Sequence, residues 1–173
     1  MGGKKMDTEE IKQNNDNYEY MLKAVQEKGK NLELASENLK NNKEIVMQAL
    51  KQDGESLEFA SDKLKDDKEV LELAIKTAPW TICYASDKLK ADKELVLESC
   101  QNYGQALYYA SEDLRDDKDI VEAAVKNKGI IIKYASHRLR NDKEIVRLAL
   151  EQDKNAFQFI SAELKNDEEF KQE

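Results

Sequence analysis

Leu64 to Leu89, LKDDKEVLELAIKTAPWTICYASDKL, is the stretch from which the rest of the chain can be rewritten. Its Ala85-Ser86 pair returns as Ala35-Ser36, Ala60-Ser61, Ala110-Ser111, Ala135-Ser136 and, changed by one residue, Ile160-Ser161. The spacing is 25 residues throughout, with no insertion or deletion. Three residues beyond each Ser stands a leucine: Leu39, Leu64, Leu89, Leu114, Leu139 and Leu164. Three beyond that comes Asn42, Asp67, Asp92, Asp117, Asp142 or Asp167. A fixed period of this length predicts a repeat architecture, in which each copy covers the apolar face of the next.

Within one copy the pattern reads as two helices. Asp67 is placed to cap a helix by accepting from the orphan amides of its first turn. Glu69 adds negative charge where the helix dipole favours it. Val70, Leu71, Ala74 and Ile75 then form one apolar face of a helix about ten residues long. Gly29, Gly54, Gly104 and Gly129 mark the following turn, and a left-handed glycine closing the helix is the expectation there. Pro79 takes that place in one copy, where it cannot continue the preceding helix. A second helix is expected over Trp80 to Leu89, with Ile82, Ala85 and Leu89 on one face. Phe59, Tyr84, Tyr109, Tyr134 and Phe159 recur along it. The ruler alanine would let the two helices approach, and the serine hydroxyl would bond back to the preceding turn.

Neither helix is long enough to be stable alone in water, so stacking must stabilise both. The predicted fold is therefore all-α: an α-solenoid of stacked antiparallel two-helix hairpins with a 25-residue repeat. Residues 17–173 form a single helical-repeat domain. Residues 1–16 are expected to be a flexible N-terminal segment or partial cap, with Asp7 capping a short turn through Ile11. The opening Met1-Gly2-Gly3 departs from a myristoylation signal, which wants Ser or Thr at the position of Met6.

The 173 residues carry 36 acidic and 28 Lys or Arg side chains, a formal charge of -8. That sign disfavours non-specific nucleic-acid binding, which depends on neutralising phosphates. Two cysteines are too few for a disulfide framework or a zinc site, and they fit a reducing, cytoplasmic home. No apolar run approaches the length a membrane span needs.

Written as D-K-E-(I/V/L)-V-x-x-A-(V/L/I)-x-x-x-G-x-x-L-x-(Y/F)-A-S-x-x-L-(K/R), the repeat resembles the family known as domain of unknown function 4116. Asp67-Lys68-Glu69-Val70, Ala74-Ile75, Gly104, Leu107 and Tyr109-Ala110-Ser111 carry the resemblance, which spans residues 17 to 170. It implies a helical repeat found in intracellular bacteria, protists and large viruses, often beside other domains. No chemistry is assigned to the family, so no functional residue transfers.

The residues themselves supply no catalytic inventory. His137 follows Ser136 directly, and neighbours at i and i+1 on a helix point apart, so they make no nucleophile-base pair. Acidic clusters such as Asp116-Asp117-Lys118-Asp119 lack the spacing and glycine of a calcium loop and read as helix caps. Zinc ligation by the usual residue types is excluded by inventory. The expectation is a non-enzyme with no catalytic residues, metal or cofactor. An enzyme built on a carboxylate site is the least favoured alternative. A second alternative is nucleic-acid binding along the register-locked edge Lys65, Lys90, Arg115, Arg140 and Lys165.

The preferred function is a scaffold for protein-protein interaction, with another protein or a second copy as partner. Positions that vary between copies are free to serve that partner. In the central copies they turn apolar: Trp80 and Cys83, then Tyr103 and Tyr108, then Ile130 and Ile131. The pairs Trp80/Cys83, Gln105/Tyr108 and Ile130/Lys133 could align as one stripe with aromatic anchors, as interface centres do. The competing reading is local packing, Trp80 on Pro79 above all.

Overall fold

The computed structural model describes residues 5–171, and every regular element among them is helical. Met1 to Lys4, which include the candidate lipidation signal, lie outside the described residues. The chain divides into two units, Met1–Ser86 and Asp87–Glu173. Each is an all-α stack of 25-residue repeats.

In the first unit the long helices are Tyr18–Glu27, Lys43–Gln52 and Lys68–Thr77; in the second they are Lys93–Asn102, Lys118–Asn127 and Lys143–Gln152. Each starts at the Asn or Asp foreseen. Asp67 Oδ1 accepts from the amides of Glu69 (3.1 Å) and Val70 (3.3 Å), and Asp117 Oδ1 from those of Asp119 (3.0 Å) and Ile120 (3.3 Å). The apolar face is fully interior in the inner helices, as with Val70, Leu71, Ala74 and Ile75, or Ile120, Val121, Ala124 and Val125, while Tyr20 in the first long helix and Leu150 in the last are half-buried. Each such Leu, Ile or Val contributes about 1.5–3 kcal/mol by burial, so this face dominates the stability of a tier.

The Lys after the cap ties tiers together. Lys43 reaches Asp67 (2.8 Å) and Glu69 (2.7 Å) of the next repeat. Lys93 reaches Asp117 and Asp119, both at 2.8 Å, and Lys118 reaches Asp142 (3.0 Å) and Glu144. The D-K-E motif is thus a ladder in which one cation holds the cap and first-turn acid of its neighbour. Exposed pairs of this kind are worth about 0–1 kcal/mol each, so the ladder sets register more than it adds stability.

The second arm departs from expectation. It is not one helix over Trp80 to Leu89. A six-residue 3-10 helix, Pro79–Tyr84, is followed by an extended Ala85 (φ -65°, ψ 153°) and then a short turn, Leu89–Ala91. Gly54–Phe59 and Gly104–Tyr109 are likewise 3-10, each followed by a four-residue α turn, Asp62–Lys65 or Glu112–Arg115. The break at Ala-Ser lets the backbone bond across tiers instead of along a helix. The Ser61 amide donates to the Lys40 carbonyl (3.0 Å), Ser111 to Lys90 (3.0 Å) and Ser136 to Arg115 (2.9 Å).

The serine hydroxyl has a different role from back-bonding, because the extended alanine before it interrupts the helix. Ser61 Oγ accepts from the Leu64 amide (3.3 Å), capping the short turn, and donates to Asn41 Oδ1 (2.7 Å) one tier earlier. Ser86 donates to Asp66 (2.5 Å) and Ser136 to Asp116 in the same way.

The glycines also act differently from the left-handed closure foreseen: no glycine among the described residues has positive φ. They are needed for space. A Cβ on Gly104 would lie 2.7 Å from the Ala124 carbonyl oxygen of the next long helix, and one on Gly54 would strike the Ala74 carbonyl and sit 2.5 Å from Thr77 Oγ1.

At the start, Thr8–Gln13 is a helix with Ile11 buried. Asp7 makes no side-chain cap, although its carbonyl accepts from the Ile11 amide (3.0 Å). Asn15 O and Asp16 then receive the Ser36 amide (2.8 Å) and hydroxyl (2.5 Å), standing in for the preceding tier.

Candidate interaction surface

Period-three geometry decides which variable residues reach solvent, since residues at i and i+3 of a 3-10 helix eclipse one another. Trp80 and Cys83 share one face, as do Gln105 with Tyr108 and Ile130 with Lys133. Trp80 is exposed and Cys83 half-buried. Tyr108 is 56% exposed, Tyr103 and Ile130 are half-buried, and Lys133 is exposed. Ile131 does not belong to this surface. It is 2% exposed, because its position, like those of Ser56, Thr81, Ala106 and Ala156, faces the core. Variation there reflects several small ways to fill an interior slot, not freedom to meet a partner.

Trp80 and Cys83 lie in the first unit; Tyr103, Tyr108 and Ile130 lie in the second. Within the second unit the structure brings together a continuous cluster. The Tyr108 ring meets Tyr109 edge-on (centroids 5.0 Å, 80° between planes) and Tyr134 of the next tier (5.0 Å, 61°). Lys133 Nζ lies 4.8 Å from the Tyr134 ring centroid and 5.8 Å from that of Phe159. Tyr108 and Lys133 hold the same register position, and each leans over the constant aromatic of the following tier. Glu58 obeys the same rule in the first unit. Burial first, and the hydrogen-bonding Glu58 carboxylate among other nearby charges, hold the Tyr84 hydroxyl above its ordinary pKa. Tyr109, Tyr134 and Phe159 were not foreseen as surface residues. Their constancy read as core, and only their half-buried state shows otherwise.

Clefts beside these rings and between the long helices lie in the second unit. One of about 280 Å³ is lined by Glu112, Arg115, Tyr134, Ala135 and Ser136, beside the cluster. A larger one of about 490 Å³ lies between two long helices, lined in part by Asp119, Glu122 and Lys126. Its charges are already matched, Asp119 by Lys93 and Glu122 by Lys126.

Two members of the basic edge, Lys65 and Lys165, are engaged in packing. Lys65 sits over the Tyr84 ring (5.7 Å), and Lys165 lies over Phe157 (6.0 Å) while donating to the Gln158 carbonyl (2.8 Å). Lys90, Arg115 and Arg140 are half-buried beside them in register. The carboxylates of the D-K-E motif stay at helix starts. Burial pushes the Asp117 carboxyl upward, but the Lys93 ammonium and the Ile120 and Asp119 amides together hold it below its ordinary pKa. No group of three or more His, Cys, Asp and Glu among the described residues converges to hold a metal ion. No helix among them is long and apolar enough to cross a membrane.

Against known proteins, the family described as "Domain of unknown function (DUF4116)" matches residues 17–65, 47–90, 67–115, 92–140, 117–165 and 142–173. The chain belongs to the DUF4116 family. The matches that begin at residues 67, 92, 117 and 142 are 25 residues apart, the period of the structural repeat seen here. Comparison with curated proteins and with solved structures finds no match.

Proposed function

We propose that this DUF4116 protein is a non-catalytic helical-repeat scaffold that binds another protein through the aromatic cluster centred on Tyr108. The observation carrying this reading is that Tyr108 stands 56% exposed while its ring is held edge-on by Tyr109 and Tyr134. A large side chain already fixed in place loses little conformational freedom on binding, which is why tyrosine anchors interface centres. The motif carboxylates Asp67, Glu69, Asp117, Asp119, Asp142 and Glu144 are engaged in capping and bridging, which supports a non-catalytic role. Neither cysteine is in a disulfide, and Cys100 is buried with its thiol pushed up to about 12 by burial, which fits a reducing cytoplasmic setting.

The test is capture from the source cells with the intact chain as bait, beside Tyr108→Ala and Trp80→Ala variants whose helicity is checked by circular dichroism. A protein held by the wild type and lost with Tyr108→Ala supports the surface. Equal capture by a folded Tyr108→Ala variant removes it.

A further inference from the structure

We infer that the Tyr108 cluster receives an extended acidic polypeptide segment, with carboxylates drawn to Lys133, Arg115 and Arg140 and an apolar side chain lying against Tyr108. This rests on the cluster being the interaction surface and adds the chemistry of what it binds.

Charge distribution is the first support. From Lys126 to Arg140 there are five Lys or Arg residues and no acidic one, in a chain of net charge -8. Lys126 is paired with Glu122 and Arg138 with Asp116. Lys128, Lys133 and Arg140 form no ion pair among the described residues. The contrast with the helix starts is sharp, since Lys43, Lys93 and Lys118 each hold two carboxylates. Cations left without acids beside an exposed aromatic give a surface complementary to negative charge.

The second support is independent of net charge. The Nε atoms of Arg115 and Arg140 are buried and have no acceptor, whereas buried polar atoms are normally satisfied. Arg115 lines the 280 Å³ cleft together with Tyr134 and Glu112, whose carboxylate lies 3.9 Å from Arg115 Nη2, so an incoming acceptor competes there with one long ion pair. A carboxylate suits a guanidinium because it can accept two parallel N–H bonds.

The rings favour a polypeptide over a nucleic acid. Single strands bind by stacking successive bases on presented aromatic faces. Here Tyr108 meets Tyr109 and Tyr134 edge-on, and Lys133 lies over Tyr134 and Phe159, so one exposed ring remains rather than a series. Tyr108 and Lys133 occupy one register position in successive tiers, so a segment running along the tiers meets an apolar anchor and then a cation.

Fluorescence anisotropy on the intact chain tests this with three labelled probes: a peptide of about a dozen alternating Glu and Leu residues, the same peptide with Gln for Glu, and an oligothymidylate. The Glu peptide should bind in a salt-sensitive manner, and Lys133→Glu and Tyr108→Ala should each weaken it by about tenfold or more. Both substitutions are at exposed positions, and circular dichroism confirms folding. Absence of Glu-peptide binding, indifference to either substitution, or preference for the oligonucleotide overturns the inference. Equal binding of Gln and Glu peptides that is still lost with Tyr108→Ala overturns the acidic chemistry alone and leaves the surface standing.

Discussion

The two units share a backbone and differ in what they put on it. Gly54–Phe59 and Gly104–Tyr109 are the same 3-10 turn after the same kind of ten-residue helix, with Leu57 and Leu107 both fully buried. In the first unit that turn carries Glu55, held by Lys30 at 2.5 Å, and Glu58 beside Tyr84. In the second, the matching outward positions carry Tyr108 and Lys133, locked into rings rather than into ion pairs. Caps, ladder and glycine packing build the tier wherever they occur, while the single outward position beside the constant aromatic gives each unit its surface. The same lean onto the next tier yields a neutralised edge in one unit and an aromatic-cationic one in the other.

The comparison breaks first if the shared scaffold is not shared. Gly54→Ala and Gly104→Ala should each lower stability by about 1–3 kcal/mol in urea unfolding, because the added methyl meets a backbone carbonyl that cannot swing away. Gly54 should be the costlier, since Thr77 crowds it as well. Two mild substitutions would show that the tiers can slide apart.

Asp67→Ala and Asp117→Ala should cost about 1 kcal/mol each, the usual worth of an N-cap, and nearly the same in both units. Their pH dependence sharpens the point. Both carboxyls titrate below 3.8 in the folded chain, so their contribution is complete above that value and is lost as pH falls through the folded pKa values. Lys43 and Lys93 titrate above 10.5, so theirs is complete below 10.5 and lost as pH rises through the folded values. The urea midpoint should be flat through neutrality and begin to drop below about pH 5, with the drop reduced in the alanine variants.

Smaller effects of opposite sign come next. Ser56 in the first unit and Ser99 in the second each bury a hydroxyl without a partner, where sibling repeats carry Ala106 and Ala74. Ser56→Ala and Ser99→Ala should therefore raise stability by about 1 kcal/mol, read as a higher melting temperature.

Much of the scaffold was legible because its determinants are local. Asp67 caps amides two and three residues away, and Val70, Leu71, Ala74 and Ile75 share a face by helical period alone. The surface was half legible. Trp80 and Tyr108 stood out as large residues at variable positions, but Ile131 varied for an interior reason, and Tyr134 and Phe159 hid behind their constancy. Their role depends on side chains one repeat away, and no pattern within a single copy reports that.

From the sequence alone came the period, the helix starts, the apolar face and the family, because side-chain chemistry at fixed spacing sets each of them. Tertiary structure decided that the second arm breaks at Ala-Ser, that glycine makes room rather than turns left, and that Tyr108 and Lys133 close over the next tier's rings. Those outcomes depend on backbone and side-chain partners some 20 to 26 residues distant, such as Ser61 on Lys40, Gly104 beneath Ala124 and Lys133 over Phe159. They exist only once the tiers have stacked.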